Sequence, residues 1–315
     1  MSEPAIQVDN LVRVYPRRHQ EPLRAVNAIS FDVPRSTVFG LLGPNGAVKT
    51  TTIKILTTIL PPTSGTARVM GHDVVREPLE VRQSICAVLQ EGAIEVHLSV
   101  RNNFRIFGRF HGLTTKETER RAGPVIERFG LSDVLDEKGM DLSGGLKRRV
   151  QVAKIFLVDK PVVFLDEATT GMDAVNKRAT IAAIREEAAR GRTIVLTTHL
   201  LDEAEALCSS LAIINHGKII ARGTVDDIRA MSLDLFTVSV ETAMSERMIR
   251  ETTDKFQPVR FTMVGTVVDI TVRNEQAAFE LLQALRATGL TKGFEVTRAS
   301  LEDVFLDLID RKEPS

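Results

Sequence analysis

Residues 43–50, Gly-Pro-Asn-Gly-Ala-Val-Lys-Thr, meet the pattern G-x-x-x-x-G-K-[ST] at every constrained position but one, where Val48 stands in place of glycine. A loop of this kind cradles the α/β-phosphates of a nucleotide in backbone N–H groups. Lys49 then reaches the β/γ-phosphates, and Thr50 offers a hydroxyl to Mg2+. Glycine before the lysine leaves room for phosphate against the chain. Valine's branched Cβ takes that room and resists unusual backbone angles. The same eight residues therefore imply a nucleotide site and predict weakened binding at it. A lost charge-assisted bond to phosphate costs roughly 1.5–3 kcal/mol, which is about ten- to hundredfold in affinity.

Two further groups carry chemistry that fits the loop. Asp166 and Glu167 close the apolar run Val162-Val163-Phe164-Leu165. An acid at the end of a buried strand beside a phosphate loop holds Mg2+, here Asp166, and its neighbour Glu167 is placed to orient or deprotonate an attacking water. Ser143, Gly144 and Gly145 open a helix with exposed N–H groups and the positive end of its dipole, an anion site. Taken alone they read more readily as a glycine-rich cap. The following Lys147-Arg148-Arg149 reads as a solvated helix face without function. Of the six histidines, only His199 follows an apolar strand, Ile194–Leu196, through Thr197-Thr198, which predicts a sheet-edge position facing the loop.

These groups need a scaffold. Ile6 and Val8, then Ile29, Phe31 and Val33 before Pro34, alternate as strands, and Val38–Leu42 is a strand that feeds the loop. Ile53, Ile55, Leu56, Ile59 and Leu60 recur at helical spacing until Pro61-Pro62 end the helix. Residues 92–157 turn helical: Ser99 caps a helix through Phe110, and Thr115 caps one through Phe129 that Gly123-Pro124 should break or bend. Continuous apolar strands alternating with helices indicate a parallel sheet covered on both faces. Ile213–Ile220 reads as a hairpin turning at His216-Gly217-Lys218. Past residue 230 the pattern changes to three strands (236–240, 267–272 and 294–296) among helices at 244–256, 275–287 and 300–310.

Lys+Arg and Asp+Glu both total 41, and this zero net charge argues against a nucleic-acid partner. No apolar run approaches the ~18–20 residues of a membrane-spanning helix, and Met1-Ser2-Glu3-Pro4 lacks a signal-peptide pattern. Cys86 and Cys208 lie in apolar stretches and read as buried thiols of a cytosolic chain rather than a disulfide.

Gly43–Thr50, Gln90, Leu142–Gly145, Leu165–Glu167, Gly171-Met172-Asp173 and His199 occur in the order and approximate spacing of ATP-binding-cassette ATPase domains. The chain resembles that family over about residues 5–228, and LSGG between a phosphate loop and an LDE strand is specific to it. Ala299-Ser300-Leu301-Glu302-Asp303-Val304-Phe305-Leu306 also resembles the closing motif of daunorubicin-resistance-type exporter ATPases. The resemblance implies an α/β fold, a P-loop NTPase cassette with an antiparallel β subdomain and a helical subdomain (about 92–157). That cassette occupies 1–228, with a small C-terminal α+β domain at 229–315.

In that family two subunits pair head to tail, so each ATP lies between the loop of one and the LSGG of the other. By resemblance, the loop residues Gly43, Pro44, Asn45, Gly46, Ala47, Val48, Lys49, Thr50 and Thr51 hold ATP, and Ser143, Gly144 and Gly145 touch the γ-phosphate in the partner's site. Tyr15 stacks on adenine, and Asp173 lies at the dimer interface. Thr50, Gln90 and Asp166 serve Mg2+, Glu167 is the catalytic carboxylate, and His199 senses the γ-phosphate. Gln90 also begins a stretch, Glu91–Val100, that transmits to a membrane permease. The implied protein is the ATP-hydrolysing subunit of an exporter, peripheral on the cytoplasmic side of the cell membrane, with drug or lipophilic-compound efflux as its work. Leu146 replaces a frequent glutamine at little cost. Two alternatives stand beside this reading: a degenerate regulatory subunit impaired by Val48, and a cassette ATPase outside transport.

Overall fold

The pleat alternates side chains between faces, and Ile6 and Val8 in Ile6–Tyr15 (β1) and Ile29, Phe31 and Val33 in Leu23–Val33 (β2) are buried with that period, which breaks where the pairing of the two strands shifts register between Val8 and Leu11. The five residues Val38–Leu42 (β3) are buried on both faces, as a central parallel strand requires. The chain continues through Ala47–Leu56 (α1), Ser64–Val69 (β4), His72–Asp73 (β5), Pro78–Ser84 (α2) and Ile85–Val88 (β6). Three helices follow, Val100–Phe110 (α3), Thr115–Arg128 (α4) and Gly144–Ile155 (α5). Then come Val162–Asp166 (β7), Ala174–Ala189 (α6), Thr193–Thr198 (β8), Leu201–Leu207 (α7), Ser210–Asn215 (β9) and Lys218–Gly223 (β10). This computed structural model describes residues 3–18, 20–44, 47–90, 94–231 and 234–310.

Two compact units result, Met1–Ile220 and Ala221–Ser315. In the first, β2-β1-β4-β5 form an antiparallel sheet, while β10-β9-β3-β8-β7-β6 form a second sheet whose β6, β7, β8, β3 and β9 run parallel. Ile6, Ile29 and Phe31 from one sheet share a core with Phe39, Ile53, Phe164 and Val195, and the rings of Phe31 and Phe39 stack with centroids 5.3 Å apart. The parallel arrangement puts the C-terminal ends of β3, β6, β7 and β8 along one rim. The phosphate loop, Gln90, Asp166-Glu167 and His199 all leave from that rim.

The second unit runs Val225–Ala230 (α8), Leu235–Thr242 (β11), Glu246–Thr253 (α9), Arg260–Val264 (β12), Val267–Arg273 (β13), Glu275–Ala287 (α10), Thr291–Arg298 (β14) and Leu301–Asp310 (α11). The order β12-β13-β11-β14 with antiparallel pairing makes β11–α9–β12–β13–α10–β14 a ferredoxin-like unit. Its core joins Val238, Ile249, Ile270, Leu281 and Leu285. The tail motif opens α11 by reciprocal capping: Asp303 donates its N–H to Ser300 Oγ at 3.2 Å, and Ser300 donates its N–H to Asp303 Oδ2 at 2.9 Å.

Several expectations need correction. Among the described residues the sheet of the second unit has four strands rather than three. The additional one, β12, is a half-buried edge strand whose Arg-Phe-Thr-Met-Val lacks a strong apolar signal. Helix α4 is capped by Thr114, not Thr115, and it runs through Pro124 unbroken. Proline removes one helical hydrogen bond, and the buried Thr118, Ala122 and Val125 hold the face that packs. The sequence pattern does not signal β4 or α2. Gln90 lies two residues beyond β6, and β8 lies between β3 and β7, so His199 follows an interior strand rather than an edge strand.

Candidate functional site

Lys49 and Thr50 leave the first turn of α1. Lys49 is 3% exposed and donates to Gly43 O at 2.7 Å and to Pro44 O at 2.9 Å. Burial pulls its ammonium below its ordinary value, and the carboxylates of Glu167 and Asp166 oppose that shift. Thr50 Oγ1 donates to Asp166 Oδ1 at 3.3 Å. The same carboxylate oxygen accepts from Thr197 Oγ1. Asp166 Oδ2 is buried and has no hydrogen-bond partner among the described residues. An orphaned carboxylate oxygen beside a threonine hydroxyl fits a divalent cation completed by phosphate and water.

Glu167 turns the chain out of β7 in a left-handed conformation, φ +53°. Its N–H donates to Thr197 O and Thr197 Oγ1, both at 3.1 Å. The carboxylate is met on both sides, by His199 Nδ1 at 3.3 Å from Oε1 and by Gln90 Nε2 at 3.5 Å from Oε2. Thr170 Oγ1 also donates to Oε2 at 3.4 Å. Residues from the ends of β6 and β8 thus converge on one carboxylate at the end of β7, next to Lys49, Thr50 and Asp166. Tyr15 Oη lies 3.4 Å from Thr51 Oγ1, which sets the ring beside α1, and the Arg13 guanidinium lies 4.9 Å from the ring centre.

Ser143 caps α5, its Oγ accepting from the Leu146 N–H at 3.2 Å. A Cβ built on Gly144 would meet nothing within 4 Å among the described residues, so this turn faces open space there. One built on Gly145 would come within 3.3 Å of Gly171 O and Met172 Cα. Asp173 caps α6 through the Asn176 N–H at 2.9 Å, and that bond holds its carboxyl below the usual range. The structure does not bring Ser143–Gly145 or Asp173 into the Glu167 cluster. Asn45, Gly46 and residues 91–93 lie outside the described residues, as does the side chain of Ala47. Downstream of that segment, Asn103 fixes the chain by accepting from the Glu95 N–H at 2.8 Å and donating to Glu95 O at 3.0 Å.

Two findings depart from the sequence reading. Val48 is the second residue of α1, is not among the residues with positive φ, and packs its side chain against the core. The unusual angles that valine would resist are not used there. Lys147-Arg148-Arg149 is not a solvated face, because Arg148 and Arg149 are only 9% and 6% exposed. Arg149 Nη1 donates to Phe129 O and Gly130 O, both at 3.3 Å, while Arg148 reaches the backbone around Glu167. Helical spacing carried back from Val152 and Ile155 to Gly145 marks that buried face and would have found it. Thr197, a mere spacer in the sequence reading, serves both Asp166 and Glu167.

Residues 26–170 match the family described as ABC transporter. The chain is 34% identical over 310 residues to the daunorubicin/doxorubicin resistance ATP-binding protein DrrA of Streptomyces peucetius, covering 96% of this chain and 92% of that protein. It is 32% identical to the Nod factor export ATP-binding protein I of Cupriavidus metallidurans, covering 91% and 93%. A solved ATP-binding subunit of an ABC transporter is 29% identical, with a TM-score of 0.63 and coverage of 72% of this chain and 92% of that one. A cassette solved as a dimer with ADP and phosphate, 19% identical over 70% of this chain and 98% of its own, shares the fold with a TM-score of 0.63.

Proposed function

The chain belongs to the ATP-binding subunits of ABC transporters, and we propose that it powers an exporter by hydrolysing ATP through Glu167. As an ABC ATPase it binds ATP. The observation that carries the proposal is the single carboxylate of Glu167, flanked by His199 and Gln90 at 3.3 and 3.5 Å and set beside Lys49, Thr50 and Asp166. In this reading Gly43–Thr51 wraps the phosphates, Lys49 exchanges its loop carbonyls for β/γ-oxygens, and Tyr15 stacks on adenine. Glu167 orients water for in-line attack while His199 holds the γ-phosphate. Thr50, Asp166 and Gln90 would hold Mg2+, which supplies charge neutralisation at the phosphates. The residues fit it: Asp166 Oδ2 is buried and, among the described residues, unpartnered.

A second copy completes the site. Ser143 keeps a hydroxyl hydrogen to donate, and Gly144 faces open space, so the start of α5 can receive the partner's γ-phosphate, with Asp173 at the interface. Among the described residues no helix is long and apolar enough to cross a membrane. Separate permease subunits would then carry the substrate, with this chain on the cytoplasmic side of the cell membrane. The docking surface in this reading is the stretch Glu91–Val100, in which Val96 is 39% exposed and accepts at its carbonyl from the N–H of Met140, itself 52% exposed, at 2.7 Å. Relatives named for daunorubicin resistance and Nod factor export make efflux of a lipophilic compound the favoured work.

Glu167→Gln tests the mechanism. With ATP and Mg2+ the purified variant should form a stable dimer on light scattering, its ATP unhydrolysed; a monomer under those conditions would sink the shared site.

A further inference from the structure

We propose that Arg148 is a positioning residue: from α5 it pins the backbone of Glu167 and the approach to Gln90, so hydrolysis depends on how α5 is seated. The inference rests on the reading of Glu167 as the catalytic carboxylate. The guanidinium spans two strand ends at once. Its Nη2 donates to Asp166 O and, at 3.1 Å, to Glu167 O. Its Nη1 donates to Leu89 O at 3.0 Å and to Gln151 Oε1 at 2.8 Å.

Each contact has a consequence. Glu167 sits at φ +53°, a conformation that costs a non-glycine residue free energy and persists only where its surroundings fix it. Thr197 fixes the peptide on the N–H side, and Arg148 fixes it on the carbonyl side. With both ends of the residue held, the carboxylate has only its own rotamers left, and His199, Gln90 and Thr170 select among them. Leu89 is the residue before Gln90, so the same guanidinium also sets where that amide starts.

The other end of the lever is Ser143–Gly145. Arg148 lies five residue steps along the helix from Ser143, a rise of about 7.5 Å along a rigid rod. A phosphate that draws the start of α5 into place therefore moves the fork that holds Glu167. Arginine suits this role because its donors are coplanar and face several carbonyls in different directions, whereas one ammonium cannot span them all.

The test compares the full chain with Arg148→Met and Arg148→Lys, measuring kcat, KM and the Kd for MgADP by calorimetry, with melting temperature as the control for folding. Arg148→Met should lower kcat by at least about thirtyfold while the MgADP Kd stays within about threefold. Arg148→Lys, which restores some donors, should lie between it and the parent. If Arg148→Met does not fold, Arg148→Lys decides alone, with a fall in kcat of about fivefold or more expected at unchanged Kd. A folded variant with kcat within about twofold of the parent would overturn the inference, as would a loss of kcat matched by an equal loss of nucleotide affinity. A parent chain without turnover would instead overturn the catalytic reading, and this inference with it.

Discussion

Replacing Val48 by glycine restores the phosphate-loop pattern, and the structure indicates that the restoration gains little. A phosphate loop binds through N–H groups, and the first turn of a helix leaves its N–H groups without intrahelical acceptors. Val48 is the second residue of α1, so its N–H is one of these, and valine carries it as well as glycine does. Its φ is not positive, which removes the conformational case for glycine. Its side chain is directed against the core cluster that includes Ile53 and Leu56. Val48→Gly should therefore change the Kd for MgATP by less than about threefold, or ~0.7 kcal/mol. Stability should fall instead. Half-buried methyl groups are worth about 1 kcal/mol here, and glycine near the start of a helix costs a few tenths more. The sum, roughly 1–2 kcal/mol, lowers the melting temperature by about 3–6 °C in a unit of this size. Calorimetric titration, phosphate release and a thermal melt on both proteins measure all three quantities. A gain of tenfold or more in affinity or turnover, about 1.4 kcal/mol, would refute this account and restore the view of an impaired regulatory subunit.

The remaining predictions use buried groups. Gly40→Ala would place a Cβ 2.6 Å from Cys208 Sγ, so urea denaturation should show a loss of roughly 1–3 kcal/mol, partly recovered by adding Cys208→Ala. Burial pushes the Cys86 thiol up to about 11 and raises that of Cys208 as well; in the native protein both should resist a thiol reagent at mildly alkaline pH and react only once denatured. Burial also raises Glu203, whose Oε2 accepts from Thr198 at 2.6 Å. Its folded pKa lies above the unfolded value, so its contribution is complete at low pH and is lost as pH rises through the folded pKa. Glu203→Gln, which keeps an acceptor for Thr198, should melt progressively higher than the parent as pH rises above about 4.5, and a constant difference would refute the assignment.

What is legible in the sequence and what is not divide along a physical line. Gln90, Asp166, Glu167 and His199 can be anticipated together because each lies at, or one or two residues past, the C-terminal end of an apolar strand, and parallel strands deliver those ends to one rim whatever the loops between them do. Tyr15 also ends a strand, but β1 belongs to the antiparallel sheet, and it is the contact of its hydroxyl with Thr51 Oγ1 at 3.4 Å that sets it beside α1. Patterns of this kind report which face an element buries. They do not report which carbonyl a long side chain reaches, so Arg148 reads as part of a charged run although it is held by Leu89, Asp166 and Glu167. Nor do they report when packing outweighs a local rule. Pro124 lies inside α4 because that helix buries Thr118, Ala122 and Val125 on one face, and one missing hydrogen bond is a smaller loss than breaking the face.

Val48 is the converse case, in which a local rule signals a loss that the backbone geometry does not show. The loop pattern describes what most phosphate loops use, and a departure from it reads as a loss. The quantity that matters is the set of N–H groups turned toward the phosphate, and a side chain alters that set only by moving the backbone or filling its concave side. At Val48 the backbone is helical and the side chain leaves toward the core, so neither condition is met. At Glu167 the backbone does leave the ordinary region, and there the structure supplies Thr197 and Arg148 to hold it. The site's vulnerability therefore lies in those supports of Glu167, where losing a donor frees a strained peptide, more than in the residue that breaks the motif.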